Sequence, residues 1–238
     1  MPPESDGAVW PLIVQRARLQ PSQPCITSIA ADGARTELSG TSLLNAVAKS
    51  AGALVDEGDL GPGSTLALLL PWHWQRVVWT LAAWTVGAVI DATSPPADAD
   101  LVVTDRLGAE GLACDPWVVS LHPLGLVDRD LPSTVIDATG LARMQPDALL
   151  VEPARGDGPA LRRADGSEWS RRDAMAWLAQ SMPDAAVRVL IDRQPDALPS
   201  AWLVAPLVPL LGTGAVIMTD GAEASAVLEQ EGPARAWS

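Results

Sequence analysis

The chain has 238 residues, 48% of them apolar and 19% charged, with a formal net charge of −13. That is enough apolar material for a buried core and argues against disorder. The acidic balance repels phosphate backbones and anionic head groups, so it points away from nucleic acid and from membrane surfaces.

Of the 16 basic residues only Lys49 is a lysine, and 10 tryptophans stand against no Phe or Tyr. Both biases fit GC-rich codon usage. Any chemistry that needs a lysine must use Lys49. Cys25 and Cys114 are far apart, in no ligand spacing, and too few for a disulfide framework. Met1–Gly7 carries Glu4 and Asp6 where a leader would be basic and then apolar, so a cytoplasmic location is expected.

Val9, Leu12, Ile13, Ala17 and Leu19 form a helical stripe over residues 8–20, closed by Pro21. Pro24–Ile29 and Thr36–Leu38 read as strands around the turn Ala31-Asp32-Gly33-Ala34, because Asp-Gly supplies the positive φ angles of a hairpin. Ser39 is placed to N-cap a helix to about Glu57 that buries Leu43, Leu44, Val47, Ala51, Leu54 and Val55. Thr65–Leu70 is a continuous apolar run, residues 72–86 are apolar nearly all round, and Ala88–Ala92 is a second run. Strand, helix and strand at this spacing predict a βαβ unit with parallel strands.

After a loop at Thr93–Asp100, strands are expected at Leu101–Thr104, Trp117–Leu121 and Thr134–Ile136. Residues 143–168 are rich in Pro, Gly, Asp and Arg and read as loop. This segment joins halves 8–142 and 169–238 of one domain over 1–238. A helix starts near Arg171, with Arg171-Arg172 expected on a solvated face. Val187–Ile191, residues 199–211 and Ala215–Thr219 repeat the strand–helix–strand pattern. Gly214-Ala215-Val216-Ile217 echoes Gly87-Ala88-Val89-Ile90. A last helix, Ala222–Glu231, is expected to fray after Gly232.

Residues 197–219 lack charge over a length that could cross a bilayer. Pro199, Pro206, Pro209 and the Gly212-Thr213-Gly214 turn predict a helix, a turn and a buried strand instead, so no membrane span is expected. The predicted class is α/β: mostly parallel sheet with helices on both faces, entered through an N-terminal β-hairpin.

Four blocks together resemble the N-terminal part of the AMP-dependent synthetase and ligase superfamily, the acyl-CoA synthetases, luciferases and adenylation domains. They are Arg18-Leu19-Gln20-Pro21-Ser22-Gln23-Pro24-Cys25-Ile26 with the hairpin and Thr36-Glu37-Leu38-Ser39; Gly61-Pro62-Gly63-Ser64-Thr65-Leu66-Ala67-Leu68-Leu69-Leu70-Pro71; Trp84-Thr85-Val86-Gly87-Ala88-Val89-Ile90; and Val204 through Ile217. Their order and spacing match the family over most of residues 8–228. The match is to short proteins of high-GC bacteria that correspond to the front of a synthetase only.

The resemblance implies an ATP-dependent activation of a carboxylate, yet the residues depart from it. The family's Ser/Thr/Gly-rich phosphate loop ends in Pro-Lys and, by the resemblance, belongs between a strand at Ala148–Val151 and the helix near Arg171. Here that stretch is Glu152-Pro153-Ala154-Arg155-Gly156-Asp157-Gly158-Pro159-Ala160-Leu161. Gly156, Gly158 and Pro159 read as relics; the hydroxyl cluster and the lysine are missing. Glu152 and Asp157 put negative charge where phosphate would lie. The adenine-binding and Mg-binding motifs and the C-terminal domain with its catalytic lysine fall beyond the matched part, and Lys49 matches an early helix remote from the active site.

No catalytic, cofactor-binding or metal residue is therefore assigned. His73 and His122 lack a nucleophile motif such as G-x-S-x-G. Trp72, His73 and Trp74 sit where a strand passes into a helix, the place where open α/β sheets bind ligands. They either line a pocket or partner surface, or pack the core with the histidine as a cap.

The resemblance thus leads to an expectation of a pseudoenzyme: a non-catalytic binding, scaffold or regulatory subunit, a homo-oligomer or the companion of a protein partner, with no cofactor. The alternative is a residual ATP, AMP, CoA or acyl-ligand binder, or an adenylating enzyme completed in trans by another chain.

Overall fold

The computed structural model describes the chain except residues 1–6, 93–97, 108–111, 113, 127–129, 164, 185, 193–198 and 238. The expectation for the acidic N-terminus and most of the Thr93–Asp100 loop lies outside the described residues. Two mostly parallel sheets and seven helices make up the rest.

After α1 (Val9–Leu19), β1 (Pro24–Ala30) and β2 (Arg35–Ser39) form the expected antiparallel hairpin. Gly33 takes φ +82° in its turn. Ser39 caps α2 (Gly40–Asp56), its hydroxyl accepting from Ser42 N. β3 (Thr65–Leu69), α3 (Trp74–Val86) and β4 (Val89–Asp91) are the βαβ unit, and β3 pairs parallel with β4. Gly87 ends α3 at φ +93°. There a Cβ would lie 3.1 Å from Pro62 and 3.2 Å from Ala154, so conformation and close packing both call for glycine.

β5 (Leu101–Thr104), β6 (Trp117–Val118) and β7 (Ile136–Asp137) follow, and Asp137 caps α4 (Ala138–Met144). Two corrections fall in the stretch read as loop. Ala148–Val151 forms no strand, whereas β8 (Pro159–Arg162) does, pairing with β9 (Glu168–Ser170) and with β4. β8 is short and starts on a proline, but its Ala160 and Leu161 are buried and it forms a hairpin with β9 around Gly166, at φ +78°.

α5 (Arg171–Ser181) and β10 (Arg188–Ile191) lead to α6 (Pro199–Leu207). The expected helix to 211 stops early and tightens into a 3-10 turn at Val208–Leu210. Pro209 lacks the N–H needed to continue the α pattern. β11 (Ala215–Asp220), α7 (Ala224–Glu231) and β12 (Arg235–Trp237) complete the chain. The tail does not simply fray: β12 pairs parallel with β10.

One sheet runs β12-β10-β11-β1-β2, the other β7-β6-β5-β3-β4-β8-β9. The first draws on both ends of the chain, with β1 between β11 and β2. Every residue of α3 is buried. It touches β3 and β4 of one sheet, β1 of the other and α6. This is why its sequence is apolar all round. The main core lies between the sheets. Ile29, Leu190, Ile217 and Val227 bury the far face of the first sheet under α7. Among the described residues no helix is long and apolar enough to cross a membrane.

Candidate functional site

The 152–161 loop runs into β8 beside the start of α5. Its backbone turns carbonyls toward a guanidinium. Arg171 Nε and Nη2 donate to Arg155 O at 3.1 and 2.6 Å, and Nη1 donates to Pro159 O at 2.8 Å. The backbone N–H groups of Arg171 and Arg172 donate to Gly158 O and Gly156 O. Gly158 is needed here, since a Cβ would lie 2.3 Å from Arg171 Nη2. The expectation that Arg171 faces solvent is overturned: it is 3% exposed. Burial lowers its pKa, and the nearby Asp157 partly offsets this. A phosphate cradle points N–H groups at an anion; this loop points C=O groups at a cation.

At the β3–α3 junction α3 starts at Trp74, two residues later than expected, and His73 is its N-cap. His73 Nδ1 accepts from Gln75 N at 3.3 Å. All three aromatic residues of the Trp72-His73-Trp74 run are buried. Trp72 and Trp202 of α6, tilted 60° to each other, both face the Arg76 guanidinium, at 4.2 and 3.7 Å from their ring centres. Arg76 Nη1 also donates to Leu70 O at 3.0 Å. The chain crosses from β3 to β4 on one side and returns to β5 on the other. This junction is thus the sheet's switch point, where a ligand crevice is usual. Here it is filled by the Trp72–Arg76–Trp202 stack, which joins the two sheets.

Trp74 turns elsewhere. It lines a cavity of about 320 Å³ between α2, α3, α4 and the segment after β6, together with Lys49 and Arg143. Trp72 and His73 are not in its lining. Sequence reading missed this grouping, as it missed Arg76 and Arg171, because the cavity residues come from four separated segments.

Burial lowers the His73 pKa to about 4. The unfolded imidazole, near 6.5, therefore binds protons that the folded one refuses. The stability this group contributes is complete above pH 6.5 and falls as pH drops toward 4, by about 3 kcal/mol in all. Urea unfolding between pH 4 and 7 should show this slope. His73→Asn, which can still cap α3, should flatten it. An unchanged slope would remove His73 from the account.

Structures of similar fold place the chain in a class. The Brucella canis acyl-CoA synthetase matches with TM-score 0.71 at 22% identity, over 90% of this chain and 44% of that one. Acetoacetyl-CoA synthetase from Streptomyces lividans matches with TM-score 0.69 at 17% identity, over 90% and 38%. The N-terminal subdomain of Klebsiella oxytoca NpsA, solved with 3-hydroxybenzoyl-AMSN, matches with TM-score 0.62 at 16% identity, over 94% and 57%. The fold is that of the N-terminal part of acyl-CoA synthetases and adenylation enzymes, and the chain spans under half the length of the two synthetases. No protein-family model matches the sequence. A curated relative from Mycobacterium tuberculosis, described as a TIGR03089 family protein, is 34% identical over 212 residues, 84% of each chain. The chain belongs to the TIGR03089 family.

Proposed function

We propose that this protein is a non-catalytic binding, scaffold or regulatory subunit built on the front part of an adenylating-enzyme fold. The observation that carries this reading is the Arg171 guanidinium inside the 152–161 loop, held by Arg155 O and Pro159 O. A triphosphate placed there would have to displace a buried cation already committed to backbone acceptors. It would also face Glu152 and Asp157. Phosphoryl and adenylyl transfer depend on donors and cations aimed at the developing charge, and this loop offers acceptors.

The test is isotope exchange between pyrophosphate and ATP with Mg²⁺ and a panel of carboxylic acids, beside calorimetric titrations of ATP, AMP and CoA. No exchange and three flat titrations are expected. Acyl-AMP made by this chain alone would overturn the reading. Exchange appearing only when a second chain is added would support completion in trans instead.

A role alongside a protein partner or a second copy is supported by large apolar side chains left on the surface: Leu124, Met144 and Leu150 are 77%, 73% and 80% exposed. Burying such groups in an interface is favourable. A solution mass equal to one chain at every concentration, with no copurifying protein, would count against it.

A further inference from the structure

The cavity beside Trp74 has a chemistry of its own. Its apolar walls are Trp74, Trp79, Val78, Ala46, Ala142 and Leu124, with Ser50, Gln75 and Thr139 as neutral polar groups among them. Its charged groups are both cations, Lys49 on α2 and Arg143 on α4, and no carboxylate lines it among the described residues. In a chain of net charge −13, a concavity with only positive charge in its lining is unusual. Both cations keep donors to spare. Lys49 Nζ donates to Gln145 O at 2.8 Å and pairs with Asp147 at 3.0 Å, which leaves one of its three hydrogens. Arg143 spends Nη1 on Gly125 O at 3.3 Å and retains the rest of its fork. Thr139 Oγ1 accepts from Ser120 N at 2.8 Å, so its own O–H is left to donate. The Nε1–H groups of Trp74 and Trp79, two of the lining residues, are buried without an acceptor.

We propose that this cavity binds a small organic carboxylate with an apolar body. The carboxylate meets Arg143 and the free hydrogen of Lys49, and the body lies along Trp74, Val78 and Ala46. The size suits this, since about 320 Å³ is at the lower end of small-ligand sites. A carboxylate fits better than a phosphate dianion for two reasons. Asp147 already pairs with Lys49 at 3.0 Å and penalises a second negative charge, and the indole rings with Val78, Ala46 and Ala142 offer contact to an apolar body that inorganic phosphate lacks. The loop after β6 shapes the opening. Gly125, at φ +58°, lets the chain pass over Trp74, where a Cβ would lie 3.2 Å from the ring edge. None of these residues belongs to the 152–161 loop.

The inference rests on the binding role proposed above, and the two fail separately, because pyrophosphate exchange tests adenylation while the following titration tests the cavity. Benzoate, hexanoate, neutral benzyl alcohol and inorganic phosphate are titrated into the full chain, with tryptophan fluorescence and saturation-transfer NMR as readouts. Saturable binding of benzoate or hexanoate is expected, with benzyl alcohol and phosphate at least about tenfold weaker. Arg143→Gln should weaken benzoate about tenfold, Ala46→Leu should abolish binding by filling the cavity, and Arg172→Gln, on the exposed start of α5, should change nothing. Arg143 is exposed, so its variant keeps the test valid should Ala46→Leu fail to fold. No saturable binding of either carboxylate, equal binding of benzyl alcohol, preferential binding of phosphate, or benzoate binding indifferent to Arg143→Gln would overturn the proposal.

Discussion

Arg171→Met is expected to lower the unfolding free energy by about 3 kcal/mol or more. The substitution keeps most of the side-chain volume and removes every donor. Arg155 O and Pro159 O then lose the guanidinium that spans them in part-buried hydrogen bonds; each such lost bond to a charged donor is worth about 1.5–3 kcal/mol. Arg171→Lys should recover less than half of the loss, because one ammonium cannot reproduce the planar fork that spans two carbonyls. Urea unfolding at pH 7 measures both. A loss under about 1 kcal/mol for Arg171→Met would mean that the loop holds its shape without the guanidinium. The functional argument would weaken with it, since the account of the loop as unfit for phosphate depends on that cation being locked in place.

Trp202→Ala should cost about 4 kcal/mol, within the usual range for a buried large aromatic. The indole lies 3.7 Å from the Arg76 guanidinium and 6.4 Å, centre to centre, from Trp72. It therefore ties α6 to the β3–α3 junction. Part of the loss should be specific to the cation. A double-mutant cycle of Trp202→Ala with Arg76→Met should show a coupling of about 1 kcal/mol or more, as a stacked guanidinium away from water is worth. Strict additivity would reduce the stack to ordinary packing. A loss of this size would show that the contact filling the switch-point crevice contributes to holding the two sheets together.

The positions where reading along the chain succeeded share a cause. Asp32-Gly33 makes a hairpin because its backbone angles are local. Ser39 caps α2 because its hydroxyl reaches an N–H three residues on. The β3–α3–β4 unit is parallel because a helix must carry the chain back across the sheet. β8 was missed although it carried a signal: it pairs with β9 around Asp165-Gly166, a local turn of the same kind as Asp32-Gly33, which the Pro-, Gly- and Asp-rich composition of the stretch obscured. β12 was missed because it carries no signal of its own and is a strand only where the distant β10 offers hydrogen bonds. The same holds for the site. Trp72, His73 and Trp74 stood out by type and place, but whether each packs, caps or lines a cavity depends on α6, α2 and α4.

By itself, then, the sequence determined the α/β class, the hairpin, the capped helices and the parallel βαβ units, along with the lack of hydroxyls and lysine in the 152–161 stretch. These follow from backbone preference, periodicity and composition, all of which act within a few residues. Only the tertiary structure decided that Arg171 is buried in that loop, that Arg76 faces two tryptophans, and that Lys49, Arg143 and Trp74 share one cavity. Those facts depend on partners outside the local turn of chain, from a dozen residues away for Arg171 to far more for Trp202 and Arg143, brought together by the burial of apolar surface in the core.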